Sequence, residues 1–187
     1  HISYPYVFKI EDSIYMIPET SRRKQIRLYK CLLFPNKWKL DRILLDDIEA
    51  VDSSVFKIEH RWFLFTNKCS AGTKDTSSEL HIYFTDSIEN GVWSEIKCGN
   101  PVLFDARNTR NGGLFYKDKT LYRVSQSRSK TIYGQRFSIN QVIKISKSEY
   151  KEKYIQTIYP NFKDDIIGTH HFHCDNKYSV VDFCRKS

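Results

Sequence analysis

Two acidic side chains, Glu19 and Asp52, are the groups on this chain best suited to work on a glycosidic bond. Such a bond is cleaved between two carboxyl groups, one protonated and one ionised. Other side chains could hold a sugar: Tyr4, Asn67, Arg107, Arg110, Gln126, His170 and Asp182. Amides and guanidinium groups hydrogen-bond hydroxyls or phosphates, and tyrosine or histidine faces stack on the apolar side of a sugar ring. Some of these residues have structural alternatives. Asp52 precedes Ser53-Ser54 and suits a turn cap. Arg110 can pair with Asp105 or Glu19. Gly112-Gly113 suits an unusual backbone conformation or the close approach of a ligand.

His170, His171 and His173, with Cys174 and Asp175, suggest zinc. In a strand, however, 171 and 173 share a face that 170 does not. No second cluster completes four ligands, so no metal or other cofactor is expected. Five cysteines are scattered, odd in number and without a CxxC pair. That usage fits reduced thiols and a cytoplasmic protein. The net charge is +8, with basic runs at Arg22-Arg23-Lys24 and Arg128–Lys130. Such runs read first as solvated surface, and second as attraction to an anionic ligand such as a sugar phosphate. No nucleic-acid-binding module is visible. No stretch approaches 18 apolar residues, so no transmembrane helix is expected.

What would bring these residues together is an internal repeat. "VFKIEDSIYMIPET" at 7–20 returns as "VFKIEHRWFLFTNK" at 55–68 and as "LFYKDKTLYRVSQS" at 114–127. Phe8, Phe56 and Phe115 coincide, as do Tyr15, Phe63 and Tyr122; Glu19, Asn67 and Gln126 share one column. A weaker fourth copy runs from His171 to Phe183, with Phe172 in the phenylalanine column. Each copy reads as two short strands around a polar turn. The first three are followed by a further strand pair: 26–34 with 38–45, 80–86 with 92–96, and 133–139 with 141–145.

Four antiparallel strands per unit of about 50 residues mark a propeller blade. The fold expected is all-β: an incomplete ring of about three and a half four-stranded blades, at about 4–45, 51–97 and 109–146, with a half blade at 169–185. A β-sandwich of diverged hairpins is the alternative. Three alanines against 24 Phe plus Tyr residues suit sheets. One helix is expected at 146–158, where Ser146 and Glu149 form a capping-box pattern.

In an antiparallel hairpin the start of the first strand lies beside the end of the second. Turns centred near 12–13 and its equivalents place Glu19 by Pro5–Tyr6, Asn67 by Ser53–Ser54 and Gln126 by Asn111. The candidate residues then gather at one mouth of a central tunnel.

The run "HISYPYVFKIEDSIYMIPETS", with "VDSSVFKIEHRWFLF", "LHIYFTDSIENGVWSE" and "NPVLFDARNTRNGG", resembles the N-terminal domain family of glucosamine inositolphosphorylceramide transferase. The resemblance spans nearly the whole chain. It implies a five-bladed propeller similar to arabinanase- and invertase-type glycoside hydrolases, with an Asp-Pro-bearing blade ahead of His1. It also implies bacterial kin associated with formyltransferase-like proteins. The sequence departs from the family pattern at Asn111-Gly112, where Pro-Ala is usual.

Three functions are weighed. The leading one is a carbohydrate-recognising propeller accessory to a sugar-modifying transferase of glycosyl- or formyltransferase type. Its partners would be a sugar or sugar phosphate and an upstream segment or fused transferase domain. The second is a glycoside hydrolase-like domain using Asp52 and Glu19. The third is a protein-interaction propeller. Exposed edges of an open ring call for an upstream segment, a swapped partner or a homodimer to cover them.

Overall fold

Hairpins with apolar alternation cannot bury a face alone, so each must find a neighbour. The computed structural model describes residues 3–69, 72–127, 134–175 and 177–186 and shows how they do so. The first sheet runs outward in the order β1 (Ser3–Ile10), β2 (Ser13–Glu19), β3 (Gln25–Leu33), β4 (Lys37–Asp46). The second holds β5 (Ala50–Ile58), β6 (Arg61–Lys68), β7 (Glu79–Thr85) and a two-residue β8 (Ser94–Glu95). Another short strand, β9 (Leu103–Phe104), also pairs with β7. The third holds β10 (Arg110–Lys117), β11 (Thr120–Ser127), β12 (Arg136–Ile145) and β13 (Tyr150–Ile158).

The fourth sheet has two broken strands among the described residues. β15 (Phe172–Cys174) pairs with β16 (Ser179–Val181), and β14 (Ile166–Gly168) pairs with β17 (Cys184–Arg185). These pairings form one hairpin interrupted at Thr169–His171. The interruption corresponds to register breaks in the other inner strands, between Ser3 and Tyr6, Val51 and Ser54, and Asn111 and Gly113.

Consecutive sheets pack face to face. Phe8, Tyr15 and Ile17 meet Val55, Trp62 and Leu64; Phe56, Phe63 and Phe65 meet Leu114 and Leu121; Phe115 and Phe137 meet Phe172 and Val181. The repeat is therefore structural as well as textual. Phe8, Phe56 and Phe115 occupy the first, second and third interface in turn.

Two expectations fail. Residues 150–158 form the edge strand β13, not a helix. The Ser146 hydroxyl caps a local turn by accepting from the Ser148 amide at 3.2 Å. Tyr150 packs on Phe65 at 5.7 Å, and burying that ring decides the conformation over helix propensity. The strands expected at 133–139 and 141–145 are one continuous strand from Arg136, and β13 is the fourth strand of that sheet. Tyr133 and the basic run Arg128–Lys130 lie outside the described residues. Among the described residues, no helix is long and apolar enough to cross a membrane.

Phe115 is 6% exposed, whereas Phe8 and Phe56 are only partly buried. Phe115→Ala is expected to cost about 3–5 kcal/mol of unfolding free energy. Phe8→Ala and Phe56→Ala should each cost less. Urea unfolding of the three variants ranks them.

Candidate functional site

The inner strands bring Tyr4, Asp52 and Asn111 to equivalent places near the centre, each beside a register break. Tyr4 and Asp52 take positive φ, 46° and 51°, and in the third sheet Gly113 takes it instead, at 121°. Left-handed backbone is costly for residues with a Cβ, so something nearby must hold Tyr4 and Asp52 there.

For Asp52 the holding contacts are explicit. Arg110 Nε donates to Asp52 Oδ2 at 2.6 Å, and Gln126 Nε2 donates to the same oxygen at 3.0 Å. Asn111 Nδ2 donates to the Asp52 carbonyl at 2.8 Å and to Ser54 Oγ at 2.8 Å. Asn67 Oδ1 accepts from the Asn111 amide at 2.7 Å, while its Nδ2 donates to the Glu79 and Thr109 carbonyls at 2.8 and 3.2 Å. These contacts stitch the second sheet to the third. Asp52 is 3% exposed, and Arg110, Asn67, Asn111 and Gln126 are also buried.

Burial pushes the Asp52 carboxyl above its usual value, although the Arg110 charge and the hydrogen bonds from Arg110 and Gln126 pull the other way. The turn-cap alternative for Asp52 does not describe this geometry. Arg110 pairs with Asp52 rather than with Asp105 or Glu19.

Glu19 is different. Asn67 and Gln126, its counterparts in the repeat, are both bonded into the network between the second and third sheets. Glu19 keeps part of its surface in solvent and accepts from Ser21 Oγ at 3.4 Å. Its carboxyl is pushed up by burial and by the Asp52 charge, against the pull of Arg110 and of hydrogen bonds from Ser21 and Ser3.

Across the centre, Asp182 accepts from the His170 and His171 amides at 2.9 and 2.7 Å and pairs with His170 Nδ1. Burial alone would raise the Asp182 carboxyl, but these bonds outweigh it and hold it below its usual value. The His170 ring packs on Gly134, where an added Cβ would come within 2.9 Å of Cγ. Gly112 is equally confined: a Cβ there would meet Val124 Cγ1 at 2.9 Å and the His170 carbonyl at 3.0 Å. Its bareness serves contact between sheets rather than ligand approach.

The Tyr4 ring meets His171 edge-on, with centroids 5.4 Å apart. Its hydroxyl is enclosed without a hydrogen-bond partner among the described residues. Burial, and then the Asp52 charge, push that hydroxyl well up. Burial also lowers His171, so it is neutral at physiological pH. Among the described residues no group of three His, Cys, Asp or Glu side chains converges to hold a metal.

The structure thus brings Tyr4, Glu19, Asp52, Asn67, Arg110 and Gln126 to one centre, with His170 and Asp182 across it. Arg107 does not join them; it stands on an exposed loop, 3.8 Å from Asp105. The expected strand partners shift because the register breaks were not visible. Glu19 pairs with Ser3, Asn67 with Val51 and Gln126 with Arg110. Asn111 and His171 were missed as central groups. The repeat column that holds Tyr4 and Asp52 also holds Asn111, so for that residue the signal was present.

The sequence matches the family described as "Glucosamine inositolphosphorylceramide transferase 1, N-terminal" over residues 1–176. Among curated proteins it is similar to glucosamine inositolphosphorylceramide transferase 1 of Oryza sativa subsp. japonica, 39% identical over 155 residues. The protein of the same name from Arabidopsis thaliana is 34% identical over 158 residues. Each match covers 81% of this chain and 20% of the relative, so the chain spans about a fifth of their length.

Among solved structures, the catalytic domain of a Coprinopsis cinerea GH62 α-L-arabinofuranosidase superposes with TM-score 0.67 at 12% identity, covering 92% of this chain and 59% of that one. An exo-β-1,3-galactanase from Phanerochaete chrysosporium gives 0.67 at 12%, covering 99% and 44%. Identity this low carries the fold alone. That fold is the five-bladed β-propeller, present here as an incomplete ring.

Removing one partner of a buried ion pair leaves the other charge stranded. Asp52→Asn is therefore expected to cost about 3–5 kcal/mol, and the double change Asp52→Asn with Arg110→Met to recover much of that. Chemical denaturation of the set measures the coupling. Asp182 supplies a pH test. Its folded carboxyl is more acidic than its unfolded one, so its stabilisation is present above the unfolded value of 3.8 and lost as pH falls through the folded value. The gap in stability between wild type and Asp182→Asn should be full at neutral pH and close in strong acid, read by urea titration at each pH.

Proposed function

The chain belongs to the glucosamine inositolphosphorylceramide transferase N-terminal family, and on that footing we propose that its propeller recognises a carbohydrate at the central mouth in the service of a sugar-modifying transferase. The observation that carries this reading is the position of Glu19. The repeat puts Glu19, Asn67 and Gln126 in one column, and only the first is left with accessible surface and outside the network between the second and third sheets. A carboxyl so placed, beside Tyr4 and across from His170, suits the hydroxyls and ring face of a sugar.

Arg110 is the cation expected to attract an anionic ligand, but Asp52 holds it at 2.6 Å. Its charge is thereby balanced, so Glu19 and the aromatic rings carry the recognition and Arg110 acts as scaffold. Five cysteines, none in a disulfide, suit a reducing compartment such as the cytoplasm. The transferase partner is the rest of a longer polypeptide or an associated formyl- or glycosyltransferase.

One observation favours a second reading. The Glu19 and Asp52 carboxyls are both raised, and each senses Arg110. Raised carboxyls occur at hydrolytic sites and in structural ion-pair networks alike. Against hydrolysis, a base or nucleophile must reach its substrate, whereas Asp52 Oδ2 already accepts from Arg110 and Gln126 inside the fold.

Titration calorimetry with neutral hexoses and pentoses, hexosamine phosphates and nucleotide sugars separates the readings. A hydrogen bond to a charged group contributes about 1.5–3 kcal/mol. Glu19→Gln is therefore expected to weaken sugar binding roughly tenfold or more, and Arg107→Ala to leave it unchanged. Retained affinity in Glu19→Gln with loss of glycoside turnover would move the assignment to a hydrolase. No binding by wild type would leave a protein-interaction propeller.

A further inference from the structure

The inner hairpins of the three complete sheets all turn at the end away from Glu19, Asn67 and Gln126, between Ile10 and Ser13, Ile58 and Arg61, and Lys117 and Thr120. At that end the outer hairpin of the first sheet overhangs the inner one. Tyr15 pairs with Lys30, so antiparallel register sets Ser13 level with Leu32. The chain runs on to Leu33 and returns in β4 from Lys37. Leu32, Leu33 and Phe34 at this tip are 54%, 65% and 59% exposed.

The fold does not require an apolar tip there. The corresponding turn of the third sheet, at 146–149, reads Ser-Lys-Ser-Glu. That of the second, at 86–93, turns Ile88 and Trp93 into the first interface and leaves Val92 singly exposed. The tip of the first sheet is also held in shape. The Asn36 amide donates to the Leu33 carbonyl at 2.9 Å, and Trp38 Nε1 donates to the Pro35 carbonyl at 2.7 Å. The Phe34 and Trp38 rings meet edge-on, with centroids 6.5 Å apart. A contiguous exposed apolar patch of this kind marks an interaction site.

The charges around the tip indicate the partner. Four cations, Lys30, Lys37, Lys39 and Arg42, stand against one carboxyl, Asp41, which Arg42 already holds at 2.8 Å. The inner turn beside the tip adds Lys9 against Glu11 and Asp12, and the balance stays positive. No carboxyl among the described residues pairs with Lys30, Lys37 or Lys39. Apolar side chains at the tip, a half-buried tryptophan behind them and then lysines match the layers of an anionic bilayer surface: acyl chains, headgroup boundary and charged headgroups.

We propose that the tip of the β3–β4 hairpin docks this propeller on an anionic lipid bilayer. Leu32, Leu33 and Phe34 enter the acyl boundary, Trp38 sits at headgroup level, and Lys30, Lys37 and Lys39 meet the lipid phosphates. The central mouth then faces away from the bilayer, so docking and sugar recognition stand or fall separately.

The test is flotation of the chain with vesicles of phosphatidylcholine alone, or with phosphatidylserine in equal parts. Wild type is expected to float with the anionic vesicles, less so as salt rises. Brominated lipid should quench its fluorescence through Trp38, because Trp62 and Trp93 are buried. Leu33→Asp with Phe34→Asp, and separately Lys37→Glu with Lys39→Glu, should each weaken anionic-vesicle binding roughly tenfold or more while leaving the Tm unchanged. Phe104→Asp, 73% exposed on a strand paired with Glu79 at the mouth end, should change nothing. Absence of wild-type binding, equal binding to both vesicles, or binding by either tip variant at wild-type strength overturns the proposal. A wild-type dimer by sedimentation that the Leu33→Asp, Phe34→Asp variant dissolves assigns the tip to a second copy and likewise overturns it.

Discussion

The buried pair of Asp52 and Arg110 is the constraint on which the centre of this protein depends. Each charge has left water, which is tolerable only if the partner is close and the remaining polar atoms are bonded. The pair stands at 2.6 Å, and Gln126 donates to the same carboxylate oxygen. Asp52 reaches that position from a strand because its backbone takes φ of 51°, which turns the side chain at a register break. The strained backbone, the ion pair and the amides of Asn67, Asn111 and Gln126 therefore stand together. In a low-dielectric interior such a network is rigid when fully bonded and costly when broken.

A second buried cation holds the approach to the first. Arg123 is fully buried and makes two 2.7 Å bonds to Glu152, while donating to the Asn108 and Thr109 carbonyls at 3.0 and 3.2 Å. Burial works against its charge, but Glu152 and the Tyr150 hydroxyl outweigh it and keep the guanidinium protonated. Those carbonyls immediately precede Arg110, so the direction from which Arg110 enters the centre is set by Arg123 of β11, which Glu152 of β13 holds in turn. This is also why 150–158 has to be a strand. Only an extended chain paired with β12 delivers Tyr150 and Glu152, two residues apart, to the same buried guanidinium.

Repetition of the hairpin gives three nearly equivalent positions at the centre, and the protein uses them unequally. Asn67 and Gln126 join the second sheet to the third, and Glu19 remains outside that network. One repeated pattern thus supplies two positions bonded between sheets and one left out of that bonding. Each of the first three sheets is stabilised by the face of the next.

The sequence by itself determined the inner hairpins and the phenylalanine that marks each interface, because period-two alternation and a repeated hairpin are local properties of the chain, but not the outer strands of the third sheet. It also determined that Glu19, Asp52, Arg110 and Gln126 share one end of the inner strands. Only the tertiary structure decided their roles. The breaks beside Tyr4, Asp52 and Asn111 shift each hairpin register. Such a break depends on what the displaced side chain meets across the centre rather than on the residues around it. The Asp52–Arg110 pair spans 58 positions in the chain, and the capping pattern at Ser146 was overridden by Phe65 and Arg123 from other strands. Local patterns fix what a segment can form, and packing between distant segments fixes which charge is buried, which is paired and which keeps part of its surface in solvent.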